Sequence, residues 1–105
     1  MDFDALSKGV VANAKSYGKQ FGVKIDKDFA VLKFFEEAGE MAQAILVHQK
    51  KSRPKKFLSK NKSKEKLGEE MADVMGLLIV CADLFGVDLT KALQKKWLKK
   101  FKKHS

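Results

Sequence analysis

From Val74 to Phe85 the chain reads "VMGLLIVCADLF", where only Gly76 and Asp83 are not apolar. The run is far short of the ~20 apolar residues a membrane span needs. Wound as a helix, it is hydrophobic around most of its circumference and must be covered on nearly every side. Three other helices in a chain of 105 residues can hardly cover it. The expectation is an all-α, four-helix bundle-like chain with a central helix pair, completed by oligomerisation.

The rest of the sequence agrees with a helical domain. Pro54 is the single proline, and β-branched residues are not enriched. Phe3, Leu6, Val10, Val11, Ala14, Tyr17 and Phe21 recur in steps of three and four, which predicts an amphipathic helix over 3–21 with Gly22 as its stop. Asp26 or Asp28 offers an N-cap for a second helix over about 29–49. Residues 50–64, "KKSRPKKFLSKNKSK", read as a basic loop. A third helix is expected over about 65–85, stopped at Gly86. Asp88 then caps a fourth over about 89–102, with Leu89, Ala92, Leu93, Trp97 and Phe101 as its core stripe. The length predicts one domain, 1–105.

Cysteine and charge narrow the function classes. A lone Cys81, set in an apolar run, excludes an intramolecular disulfide or a multi-cysteine metal site and reads as a small buried hydrophobe. The start, "MDFDALSKG", is acidic and lacks the apolar segment of a signal peptide, so a cytoplasmic protein is expected. The net charge of +9 is uneven: 50–64 holds eight basic residues and 91–103 holds seven, with no acid in either. The remaining seven basic residues face all 13 acidic ones. An acidic body with two basic attachments suits a partner bearing negative charge.

Six of those acids form two matching clusters, "KFFEEAGE" at 33–40 and "KLGEEMAD" at 66–73. Lys33 answers to Lys66, Glu36 to Glu69, Glu37 to Glu70, and Glu40 to Asp73. On a helical wheel each set shares an arc of roughly 100°. That arc continues as Ala44 and Val47 on the second helix, and as Leu77, Val80 and Leu84 on the third. A merely solvated stripe would stay polar along its length, so these acids are expected to face the bundle or its cleft. Carboxylates gathered there repel one another, and a divalent cation relieves the repulsion. Oxygen-only ligands select hard ions, Mg²⁺, Mn²⁺ or Ca²⁺. His48 and His104 are the only histidines; neither follows a glutamate by three, which excludes the Glu-x-x-His pattern of a di-iron bundle. His48 is expected as a surface residue at a helix end. Gly39 and Gly68 lie within these helices and admit two readings, close helix approach or room for a ligand.

"EEAGE" followed by "EEMADVMGLL" resembles the E-x-x-E…E-x-x-D signature of the MazG-like all-α nucleoside triphosphate pyrophosphatases, relatives of deoxycytidine triphosphatases and dimeric dUTPases. The resemblance runs from about Leu32 to Lys96. It implies hydrolysis of a (deoxy)nucleoside triphosphate to the monophosphate and pyrophosphate, in nucleotide-pool housekeeping. It implies Mg²⁺, with Mn²⁺ as a substitute, held by Glu37, Glu40, Glu70 and Asp73. Glu36 would be catalytic, acting on the attacking water, and Lys33 and Lys96 would bind substrate. A homodimer or homotetramer would be expected. Two features depart from the pattern: the gap between Glu40 and Glu70 is long and basic, and Lys100 stands where relatives often carry asparagine. The alternative is a nucleic-acid-binding or adaptor helical protein using the Lys-rich loop and C-terminal helix, with Phe57, Trp97 and Phe101 as stacking residues. On the hydrolase reading any nucleic-acid binding is weak and non-specific, and no membrane is involved.

Overall fold

A computed structural model describes residues 1–98 of the chain, and all its regular structure is helical. Helix α1 spans Phe3–Phe21, α2 Lys27–His48 and α3 Lys60–Leu84. A short 3₁₀ turn, Pro54–Lys56, lies between α2 and α3. Helix α4, Leu89–Leu93, passes directly into a π-helical turn, Gln94–Leu98. Phe101 and Lys100 lie outside the described residues. Among those residues no helix is long and apolar enough to cross a membrane.

Each helix starts where a short polar side chain replaces a missing backbone bond. The Asp2 carboxylate accepts from the amide of Ala5 at 2.8 Å, Asp26 from Phe29 at 2.9 Å, and Asp88 from Lys91 at 3.0 Å. Ser59 does the same for Lys62 at 3.3 Å, so α3 begins inside the stretch expected to be loop. The loop is correspondingly shorter than 50–64. Its last third, Lys60–Lys64, is the polar start of α3 and carries no apolar period to betray a helix.

The helix ends are alike. Gly22 and Gly86 adopt φ of 65° and 70°, the left-handed conformation that costs glycine nothing. After α3 the amides of Gly86 and Val87 bond back to the carbonyls of Asp83 and Ala82, satisfying groups the helix leaves open. After α2 the same motif recurs without glycine: Lys50 takes φ 57°, and the amides of Lys50 and Lys51 bond to Val47 and Leu46. The Lys50 ammonium then stands 5.1 Å above the Phe57 ring, joining the two ends of the first part of the loop.

Helices α2 and α3 form an antiparallel hairpin and share the most extensive packing in the molecule. At its loop end, the Ser63 hydroxyl donates to the Lys60 carbonyl at 3.0 Å, so the Nδ1–H of His48 donates to Ser63 Oγ at 2.7 Å. His48 is thus half-buried and bonded rather than a free surface residue. Toward the other end Lys27 lies 5.1 Å over the Phe85 ring. Helix α1 packs on α3, and Thr90 at the start of α4 donates to Asp4 at 2.6 Å. The core is small: among the described residues Ala30, Ala44, Ile79 and Val80 are the buried apolar ones. Cys81 is half-buried, and burial raises its thiol pKa, in keeping with an inert apolar neighbour.

Two apolar stripes remain uncovered within one chain. On α2 the exposed residues Leu32, Phe35, Gly39, Ala42 and Leu46 recur in alternating steps of three and four. On α3 Gly68, Met71, Met75 and Leu78 follow the same rhythm and are also exposed, and Phe85, the exposed cap residue just past the helix, lies seven residues further on. The nearly complete burial expected for α3 is therefore not achieved by the single chain. Nor is the stripe of the fourth helix a core: Leu93 is exposed, and Trp97 is 70% exposed.

Gly18 has a different role. A Cβ there would stand 2.7 Å from the Val23 carbonyl oxygen and 2.7 Å from Ile25 Cγ1, where the chain turns back along α1. Alanine ordinarily gains about 1 kcal/mol over glycine inside a helix, but overpacking costs about 1–3 kcal/mol. Gly18→Ala should therefore lower stability in urea, whereas Gly9→Ala, whose Cβ meets nothing within 4 Å, should raise it. Equal and positive shifts for both would show that the turn yields freely.

Candidate metal centre

The matched clusters meet across the α2–α3 seam. One carboxylate oxygen each from Glu37, Glu70 and Asp73 lies within 4.8 Å of the others. The same arcs continue into the core as expected, with Ala44 and Val80 buried and Val47, Leu77 and Leu84 half-buried. The acids thus occupy the polar end of a packing seam.

Burial of these acids is graded. Glu70 is only 5% exposed. One of its oxygens pairs with Lys66 Nζ at 2.9 Å, one helical turn earlier. Its other oxygen, Oε2, is buried without a hydrogen-bond partner among the described residues, and so is Glu37 Oε2. Buried polar atoms are nearly always satisfied, and a buried carboxylate with an idle oxygen costs far more than an idle amide. Asp73 is exposed at the mouth of the group. Glu40 is exposed one turn along α2 from Glu37, close enough to share a proton with it. Desolvation is the main influence raising the Glu37 pKa; the hydrogen bond to Glu40 and the negative charges of Glu40 and Asp73 add to it, against Lys33.

The remaining predicted residues are dispersed. Glu36 is exposed and ion-paired with Lys33, outside the three-carboxylate group, and holds the Lys33 ammonium above its usual pKa. Glu69 is exposed. Lys96 lies on the exposed π-helical turn and lines neither cavity beside the acids. Gly39 and Gly68 are not sites of close approach within the chain, because a Cβ at either would meet nothing within 4 Å.

Two cavities flank the group. One, of about 240 Å³, is mostly apolar; Asn13, Tyr17, Phe29 and Leu77 line it, and Lys33 and Asp73 reach it from the acid side. The other, of about 350 Å³, lies toward the loop and shares Glu40 and Glu70 with the acids. Neither was visible in the sequence, because both depend on residues far apart in the chain. The α1 contribution, Asn13 and Tyr17, lay within an ordinary amphipathic period.

The donor set suits a hard divalent ion. All ligands are carboxylate oxygens, and two idle buried oxygens are available. Opposite ligands of octahedral Mg²⁺ stand about 4 Å apart, so small side-chain rotations would bring the three oxygens onto one ion. Glu37, Glu70 and Asp73 would hold it, with Glu40 adjacent.

The chain is 42% identical over 71 residues to "Uncharacterized protein YvdC" of Bacillus subtilis (strain 168), an alignment covering 63% of this chain and 67% of that protein. No family model matches the chain, and no solved structure matches it.

Glu37 also sets a pH dependence. Its folded-state pKa is raised above the ordinary 4.5. The folded state therefore binds the proton more tightly than the unfolded chain, and stability from this group falls as pH rises from 4.5 toward the raised value. Glu37→Gln should make the metal-free protein more stable than wild type at neutral pH, with the gap closing on acidification. Urea titrations in chelator across that range measure it; a constant gap would mean that Glu37 does not carry the strain.

Proposed function

We propose that this chain, which belongs to the same family as that Bacillus protein, is a divalent-metal-dependent nucleoside triphosphate pyrophosphohydrolase of the cytoplasm. The observation that carries the reading is Glu70: a carboxylate 5% exposed, with an oxygen lacking a partner, beside two further carboxylates. A protein that bore this arrangement for structure alone would accept its full cost. A bound Mg²⁺ or Mn²⁺ would supply the missing charge, lower the pKa of water and neutralise phosphate oxygens. The MazG-like resemblance of the two motifs points the same way.

Roles for the chain's residues follow from their positions. Glu37, Glu70 and Asp73 hold the ion. Lys33 turns from Glu36 toward the phosphate chain, since it already lines a cavity with Asp73. Glu36, so released, takes a proton from the attacking water. The water oxygen bonds to the α-phosphorus, the bridging bond to the β-phosphate breaks, and pyrophosphate leaves with its electron pair. Tyr17 and Phe29 offer apolar faces, and Asn13 an amide, to a base in the smaller cavity. Lys96 is given no part.

The test is a panel of nucleotides with Mg²⁺ or Mn²⁺, assaying pyrophosphate and phosphate separately. Pyrophosphate should be released from at least one (deoxy)nucleoside triphosphate. Glu70→Gln and Asp73→Asn should each lower turnover by about a hundredfold or more without loss of helix content. Phosphate as the product, or an active double variant, would overturn the mechanism.

We further propose that the two open stripes pair with those of a second copy. Leu32 and Phe35, 70% and 65% exposed, flank Gly39 and Ala42, a small-residue gap into which a neighbouring helix would fit. Phe35, Met41 and Ile45 would lie at or near this contact. Gly39→Leu should split the assembly or weaken it, as measured by sedimentation. A wild-type particle of 11.8 kDa at micromolar concentration would refute the pairing.

A further inference from the structure

The larger cavity beside the acids has a composition of its own. Glu70 and Glu40 line it with the apolar Val47 and Leu58, and among the described residues its cationic lining is Lys56 and Lys66. Lys56 comes from the loop and Lys66 from α3, so two separate elements bring a basic side chain to one space. The loop's placement is specified: Pro54 starts the 3₁₀ turn, the amides of Lys56 and Phe57 bond to Arg53 and Pro54 at 2.9 and 3.0 Å, and Lys50 clasps Phe57. Of the two neighbouring lysines in that turn, Lys56 lines the cavity and Lys55 does not. Lys66 is already paired at 2.9 Å with Glu70, so its ammonium sits at the boundary between the acids and the cavity.

We propose that this cavity is an anion subsite for a diphosphate group, with Lys56 and Lys66 as its contacts. The inference rests on the hydrolase reading and deepens it: the diphosphate is the leaving end of the substrate. The cavity adjoins the carboxylates, whereas the apolar cavity with Tyr17 and Phe29 lies on their other side. A triphosphate laid across the seam would thus have its base and its terminal phosphates in chemically matched places. The long basic connection between the acidic motifs, which departs from the resemblance, is what supplies Lys56.

Lys66 has two opposed effects. It competes with a cation for Glu70, yet attracts a phosphate in the cavity. Its removal should tighten metal binding and weaken anion binding, whereas a merely structural lysine would lower both. The experiment measures calorimetric binding of Mn²⁺ alone, and of inorganic pyrophosphate with and without Mn²⁺, to wild type, Lys56→Met, Lys66→Met and Lys55→Met. Pyrophosphate affinity should fall about tenfold in Lys56→Met and Lys66→Met, the loss of one charge-assisted contact, and stay unchanged in Lys55→Met. Mn²⁺ affinity should be unaltered in Lys56→Met and should rise in Lys66→Met. Unchanged pyrophosphate affinity in both cavity variants overturns the subsite. An equal loss in Lys55→Met does the same, since it marks diffuse attraction to a basic surface. No Mn²⁺ uptake by wild type refutes the metal reading instead, and the metal-free pyrophosphate measurements still decide the cavity.

Discussion

A carboxylate removed from water must be given another partner, and Glu70 has been given half of one. Lys66 answers one oxygen; the other is idle in the seam between α2 and α3. The neighbouring architecture depends on this residue being where it is. The hairpin brings Glu37 against it from the opposite helix, and the apolar residues beyond, from Ala44 to Val80, hold the helices at that separation. Repulsion at one end of the seam is therefore opposed by packing at the other. Packing can hold such an arrangement, and either a proton on Glu37, whose pKa is raised, or a bound cation would relieve its cost.

The uncovered stripes express the same economy of material. Among the described residues four buried apolar side chains make a slight core for a chain of this length. Much of the hydrophobic surface lies instead on outward faces of α2 and α3, in the three-four rhythm that suits another helix rather than water. The acids lie on the inner arcs of these helices and the stripes on the outer ones. Each helix of the pair thus has two distinct faces, one bearing the acids and one left apolar.

How much of this could be read beforehand depended on whether cause and effect were close in sequence. Gly22 and Gly86 were legible because a helix stop is a local matter of φ. The inward turn of Glu37 and Glu70 was legible because a single wheel carried both the acids and the core. The start of α3 was not: Lys60–Lys64 has no apolar period, and the Ser59 cap is one of three serines in a basic run. His48 was misjudged because its partner, Ser63, lies fifteen residues away. Gly18 gave no signal at all, since only the returning backbone at Val23 shows why a side chain cannot fit. Trp97 followed a helical period, but the neighbour that would bury it is not part of this chain's described packing.

The hairpin has a consequence for how such a protein can vary. In an antiparallel pair, a residue inserted within α2 or α3 between the acids and the core turns one half of that helix by about 100° relative to the other. Glu37 or Glu70 would then leave the seam, and no compensating change elsewhere in the chain could restore them singly. An insertion in the loop after His48 turns nothing. Its cost is only that of closing a longer connection, about 0.6 kcal/mol for a doubling in length. The helices are thus a fixed frame and the loop a free margin. The margin borders the cavity, so its length and charge can drift while the carboxylates keep their register.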